Sequence, residues 1–142
     1  MLERSIYIDA PIEKVAPLVD DPHRWPEYFV GLEKVDPDSV FPDIGGVAQV
    51  AYKAAGMTFN IKMTSTEFER GKTSVTKMEG MMSGINSTSL ESEGDGTKIT
   101  MSFEYEMPGG GIGKAINKLL VERMNAEQLE KSLEQLKVLV EA

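Results

Sequence analysis

Cysteine is absent from the chain and histidine occurs once, at His23. Without cysteine there is no thiol nucleophile, no disulfide framework and no zinc–thiolate site, and a reducing compartment is permitted. A single histidine leaves too few nitrogen ligands for an ordinary zinc centre, so neither a metal nor a cofactor is expected. Long apolar runs are missing as well. Glu3, Arg4 and Asp9 interrupt the first residues, which excludes a signal peptide or a membrane span there. The expectation is a cytoplasmic protein with no stable membrane insertion. Positive charge is also scarce: 15 Lys and Arg against 23 Asp and Glu give a net charge of −8. That balance opposes the attraction to phosphate backbones that supplies most nucleic-acid affinity, so no nucleic-acid partner is expected.

What is present suits one globular domain spanning residues 1–142, with 41% apolar residues. A chain of this length buries roughly two-thirds of its unfolded surface and can enclose a cavity as well as a core. Residues 112–142 carry five basic and five acidic side chains, so the remaining 10 basic and 18 acidic residues place the whole acidic excess upstream.

Alternation over residues 3–9, with Ile6 and Ile8 on one face, predicts a first strand that stops at Ala10-Pro11. Ile12, Val15, Leu18 and Val19 then follow helical spacing. The break at Asp20-Asp21-Pro22 precedes a second short helix containing Trp25 and Tyr28. A weakly patterned strand near 32–38 and a turn-rich stretch follow. Residues 47–107 read as five strands separated by Gly56, by 70–72, by 80–84 and by 94–96, connections short enough to require antiparallel pairing. Two strands alternate clearly: Met57, Phe59, Ile61 and Met63 in one, Ile99, Met101, Phe103, Tyr105 and Met107 in the other. Residues 73–91 are rich in Ser, Thr and Asn, and their inward face is not assigned. From about Ile112 to Val140 the period becomes helical over about 43 Å. Ile112, Ala115, Ile116, Leu119 and Leu120 fall on one face, and Leu129, Leu133, Leu136 and Val140 on a face rotated by about a quarter turn. The two halves of this helix should therefore pack against different things.

The pattern predicts an α+β fold: a curved antiparallel sheet of six to seven strands wrapped around a long C-terminal helix, with two short helices after the first strand. Ile8-Asp9-Ala10-Pro11 before Glu13 and Val15, then Asp20-Asp21-Pro22 and Trp25-Pro26-Glu27-Tyr28, in that order and followed by glycine-punctuated strands and a long helix, resemble the START-like or Bet v 1-like (SRPBCC) superfamily. The resemblance covers essentially the whole chain and lies closest to the polyketide cyclase/dehydrase and lipid-transport branch. It implies a helix-grip fold with a hydrophobic cavity between the concave sheet face and the C-terminal helix. It does not imply one chemistry.

Motifs for nucleotide or hydrolytic chemistry fail. Pro108–Ala115, PGGGIGKA, lacks the first glycine and the Ser or Thr of a phosphate-binding loop, and Lys114 stands where a dinucleotide fingerprint needs its third glycine. It reads instead as a flexible strand-to-helix connection. No nucleophile elbow surrounds Ser83, and His23 reads as a surface or helix-start residue. Glu104 and Glu106 share the wet face of the last strand, so they are poor candidates for an acid/base pair. Asn86-Ser87-Thr88 forms a glycosylation sequon that has no meaning without a secretory signal.

Nine methionines are the compositional oddity. Their unbranched, polarizable side chains either fill an ordinary core or conform to apolar ligands of variable shape. With the cavity that the resemblance implies, the expected ligand-binding set is Tyr28, Met57, Phe59, Met63, Met78, Met101, Phe103, Tyr105, Ile116, Leu120 and Arg123; no catalytic residue is assigned. Trp25 is expected to anchor the short helix to the sheet. Helical rotation places Arg123 on the apolar face with Ile116 and Leu120, where it either pairs with Glu127 or meets a polar group on a ligand. The expected function is binding or transport of an apolar small molecule or lipid. A cyclase, aromatase or dehydratase and a protein- or ribosome-interaction module are the alternatives, and a protein partner is left open.

Overall fold

The structure is a computed structural model that describes residues 1–106 and 118–142. Seven strands form one antiparallel sheet: β1 (Leu2–Ile8), β2 (Leu32–Pro37), β3 (Val47–Ala54), β4 (Met57–Glu69), β5 (Thr73–Gly80), β6 (Ser83–Glu93) and β7 (Gly96–Glu106). Their spatial order is β1-β7-β6-β5-β4-β3-β2, so every neighbour except β1–β7 is also a sequence neighbour. From β3 to β7 that order follows from the short connections, which allow only hairpins. Twist curls the sheet, and a register shift between Ser65 and Glu67 marks a bulge where β4 bends beside β5. The expected α+β helix grip is the fold observed.

Helix α1 (Ile12–Asp20) starts directly after Pro11 and buries Val15, Leu18 and Val19. Pro22, which cannot continue it, opens a 3-10 helix over Pro22–Glu27, whose first turn is closed by Asp21 accepting from the His23 amide at 3.0 Å. His23 is exposed there, as the sequence suggested. The indole of Trp25 donates to the Val19 carbonyl at 2.9 Å, tying the 3-10 helix back to α1.

The C-terminal helix α2 (Lys118–Glu141) crosses the concave side of the sheet. Its buried stripe runs Val121, Asn125, Gln128, Leu129, Ser132, Leu133, Leu136, Val140, a 3.6-residue period sustained along the helix. Leu119 and Leu120 are exposed at 66% and 46%, and Arg123 is exposed too. This corrects the face predicted for the first half of the helix. Arg123 lies two residues past Val121, hence about 200° around the helix from the buried stripe. Among the described residues it forms no ion pair, with Glu127 or otherwise. Water solvates the cation, so it needs no partner.

Two apolar clusters make the core. The first joins Ile8, Val15, Tyr28, Ile99 and Met101 to Leu129, Leu133, Leu136 and Val140 of α2. The second joins Phe41, Ala48, Phe59, Ile61, Met63 and Met78 to Val121. The two ends of α2 therefore do pack against different partners. Trp25 and Phe103 touch both clusters. The inward face of 73–91, unassigned from sequence, includes Ser74, Thr76 and Met78 on β5 and Asn86, Thr88 and Leu90 on β6, set by the pairings Ser74–Thr88, Thr76–Asn86, Asn86–Phe103, Thr88–Met101 and Leu90–Ile99.

Candidate functional site

Between the two clusters lies a cavity of about 90 Å³. The sheet supplies Ile61 and Met63 from β4, Met78 from β5, and Phe103 and Tyr105 from β7. Met82, Trp25 and Phe29 close other sides, and Leu129 faces it from α2. Phe29 meets Phe103 edge to face, with ring centroids 6.4 Å apart and planes at 77°, a favourable arrangement for the ring quadrupoles. Alternation along β4, β5 and β7 places the sheet side chains inward.

Four polar residues also reach the cavity: Tyr52, Asn86, Tyr105 and Asn125. Three of them belong to a hydrogen-bonded chain anchored by Gln128. The Gln128 amide nitrogen donates toward the carbonyls of Val30 and Lys53, both at 3.1 Å, and toward the Tyr52 hydroxyl at 3.0 Å. Tyr52 donates to Asn125 Oδ1 at 3.0 Å, and Asn125 Nδ2 donates to the Tyr105 hydroxyl oxygen at 2.9 Å. Ser132 continues the attachment of α2 by accepting from the Val30 amide at 2.8 Å. Gly31 makes this close approach feasible. Its φ is +91°, and a Cβ there would stand 2.2 Å from Gln128 Nε2 and 2.6 Å from the Lys53 carbonyl.

Burial pushes the Tyr52 phenol well above its ordinary range and raises that of Tyr105 as well. For Tyr52 the neighbouring Tyr105 adds to the rise while the Gln128 hydrogen bond opposes it. For Tyr105 the Asn125 hydrogen bond opposes it and the negative charge of Glu122 adds to it. Both are therefore neutral O–H groups at physiological pH. No carboxylate, histidine, lysine or arginine is among the described lining residues. Among the described residues, no group of three or more His, Asp or Glu gathers in a way that could hold a metal ion.

Of the residues predicted from sequence, Met63, Met78, Phe103 and Tyr105 come together around the cavity. Tyr28, Phe59 and Met101 sit in the core instead, at 1%, 0% and 3% exposure. The Tyr28 hydroxyl donates to the Leu18 carbonyl at 3.1 Å, which holds the ring away from the cavity. Met57 packs at the margin of the second cluster. Leu120 and Arg123 are on the outer side of α2, and Ile116, Met107 and the glycine-rich 108–115 connection lie outside the described residues. Sequence reading missed Tyr52, Asn86, Asn125 and Gln128, and gave Trp25 only its anchoring role. A signal for Asn125 and Gln128 existed: continuing the Leu129–Val140 stripe toward the N-terminus at helical spacing passes through them.

A sequence model of the family described as polyketide cyclase/dehydrase and lipid transport matches residues 2–141. Among solved structures, the Zhui aromatase/cyclase of a Streptomyces species superposes with a TM-score of 0.82 at 12% identity, covering 99% of this chain and 92% of that one. A Thermus thermophilus protein, TTHA0849, gives 0.81 at 21% identity, covering 98% and 95%. The ginseng major latex-like protein 151 from Panax ginseng gives 0.73 at 16%, covering 96% and 94%. No curated protein matches the sequence. At these identities the structures speak for the fold alone. With the family match running over nearly the whole length of the chain, the protein belongs to the polyketide cyclase/dehydrase and lipid-transport family.

Proposed function

We propose that the protein binds and carries a small apolar molecule in the cavity between the sheet and α2. The observation that carries this reading is the apolar lining itself, in which Trp25, Phe29, Met63, Met78, Met82 and Phe103 border free space. Natural cores are packed to crystal-like density, so an apolar void of this size is a departure that a ligand would remove. At about 90 Å³ the cavity is somewhat smaller than the roughly 150 Å³ in which an engineered apolar cavity holds benzene. A ring-sized ligand fits with small shifts, and a longer one requires the methionines to turn. Three rotatable bonds each make that inexpensive.

An aromatase or cyclase, as one structural neighbour is by name, or a dehydratase needs a group able to give and take a proton near neutrality. The described lining offers amides and phenols pushed upward in pKa, which favours the carrier. Native mass spectrometry of gently purified protein, followed by solvent extraction, tests the reading: a co-purifying apolar compound is expected. Absence of any such compound, together with failure to bind added apolar probes, would overturn it.

A further inference from the structure

The hydrogen-bonded chain along the cavity has a direction, and that direction fixes what its last member offers a ligand. Carbonyl oxygens cannot donate, so the carbonyls of Val30 and Lys53 require the amide nitrogen of Gln128, not its oxygen, to face them. That nitrogen cannot accept, so the Tyr52 hydroxyl, whose oxygen lies 3.0 Å from it, must turn its hydrogen to Asn125. Asn125 therefore presents its oxygen to Tyr52 and its nitrogen to Tyr105. The Tyr105 oxygen accepts that bond, and its own hydrogen has no acceptor among the described residues. Across the β6–β7 ladder, Asn86 pairs with Phe103 and Gly84 with Tyr105, so Asn86 is the diagonal same-face neighbour of Tyr105. Asn86 Oδ1 is buried and also lacks a hydrogen-bond partner. An unmatched buried polar atom in an apolar wall is costly, and a ligand carrying the complementary group removes the cost.

We infer that the cavity selects a neutral, oxygen-bearing apolar ligand: a carbonyl or ether oxygen accepts from the Tyr105 hydroxyl, and a hydroxyl or N–H group donates to Asn86 Oδ1. A fatty acid or other carboxylate is disfavoured because no cation is among the described lining residues to compensate the buried charge. The exposed Arg123 points away from this task. This inference rests on the binding reading and adds the chemical class of the ligand.

The test uses four probes on one six-membered ring, none of which absorbs strongly where tryptophan does: ethylcyclohexane, cyclohexyl methyl ketone, 1-cyclohexylethanol and cyclohexanecarboxylate. In titrations of the full chain, the ratio of ketone to hydrocarbon affinity should fall about tenfold in Tyr105→Phe. Asn86→Leu should tighten the hydrocarbon and weaken the alcohol. Cyclohexanecarboxylate should bind more weakly than the ketone. In wild type, an infrared spectrum of the carbonyl-labelled ketone should show the bound C=O stretch shifted below its value in hexane, a readout that needs no variant to fold. If the hydrocarbon and ketone bind but the stretch is unshifted and the ratio survives Tyr105→Phe, the proposal falls and the binding reading stands. If the carboxylate binds tighter than the ketone, ligand neutrality is refuted. If none of the probes binds, both are overturned.

Discussion

Phe59 and Phe103 both point to the concave side of the sheet, yet truncating them should have different consequences. Phe59 is fully buried within the second cluster, so Phe59→Ala should cost about 3–5 kcal/mol, as for other core phenylalanines. Phe103 already borders free space. Phe103→Ala should therefore cost less and should weaken the binding of ethylcyclohexane, with urea unfolding and probe titration reading the two effects separately. A core-sized loss at Phe103 with unchanged affinity would return it to the core. Alternation in the sequence shows that both face inward but not which one meets a void, because that depends on what stands across from each. Asp38 contributes through its charge. Its carboxylate accepts from the amides of Val40 (2.9 Å), Phe41 (2.8 Å) and Val47 (3.1 Å), and these bonds, led by that of Phe41, hold its pKa below the usual carboxylate range. A carboxyl with a folded pKa below its unfolded one stabilises the fold above the unfolded value and loses that contribution as pH falls through the folded value. Asp38→Ala should thus be less stable than wild type at neutral pH, with the gap closing in strong acid. A gap undiminished at about pH 2 would assign the effect to loop packing rather than to ionisation.

Elements were legible in the sequence wherever residue types alternate with the backbone. Strands β1, β4 and β7 announce themselves through Ile6 and Ile8, through Met57 to Met63, and through Ile99 to Tyr105. Strands β5 and β6 do not announce an inward face, because Thr76, Asn86 and Thr88 point inward where an apolar residue would have given the period away. The N-terminal half of α2 misled for the opposite reason: Leu119 and Leu120 are apolar but exposed, while Asn125 and Gln128 are polar but buried. Their burial is tolerated only because each is hydrogen-bonded, a condition that no sequence period reports. This attachment of α2 to the sheet yields an element-scale prediction. Gln128→Leu leaves the carbonyls of Val30 and Lys53 without their donor and should destabilise by about 1–3 kcal/mol. Gly31→Ala puts a Cβ into the same amide while holding φ at +91°, a left-handed conformation that costs roughly 1–2 kcal/mol before any clash. Because Gly31 and the Gln128 amide share one contact, a double-mutant cycle in urea should show Gly31→Ala with Gln128→Ala less destabilised than the sum of those two single variants. Strict additivity would mean that the amide yields freely and that Gly31 is needed for its backbone conformation and the Lys53 carbonyl alone.

For the molecule as a whole, the cavity's position matters more than its size, since it lies where the two core clusters meet and where Trp25 and Phe103 touch both. A ligand there joins the sheet, the 3-10 helix and α2 in one packed unit, and it binds the folded chain without a counterpart site in the unfolded one. At a free concentration of about 100 times its Kd, such a ligand adds about 2.7 kcal/mol to stability. For a chain of this length, each kcal/mol corresponds to roughly 2–4 °C, so the Tm should rise by roughly 5–10 °C. Trp25 supplies an independent position marker, because it is the chain's one tryptophan and it lines the cavity. Cyclohexyl methyl ketone, which does not absorb strongly enough to mask the indole, should change Trp25 emission over the same concentration range that raises Tm. Coincident transitions place the ligand between the clusters. A rise in Tm with unchanged Trp25 emission would place it elsewhere on the fold, and emission changes without stabilisation would mean that the ligand opens the contact between the clusters as much as it fills it.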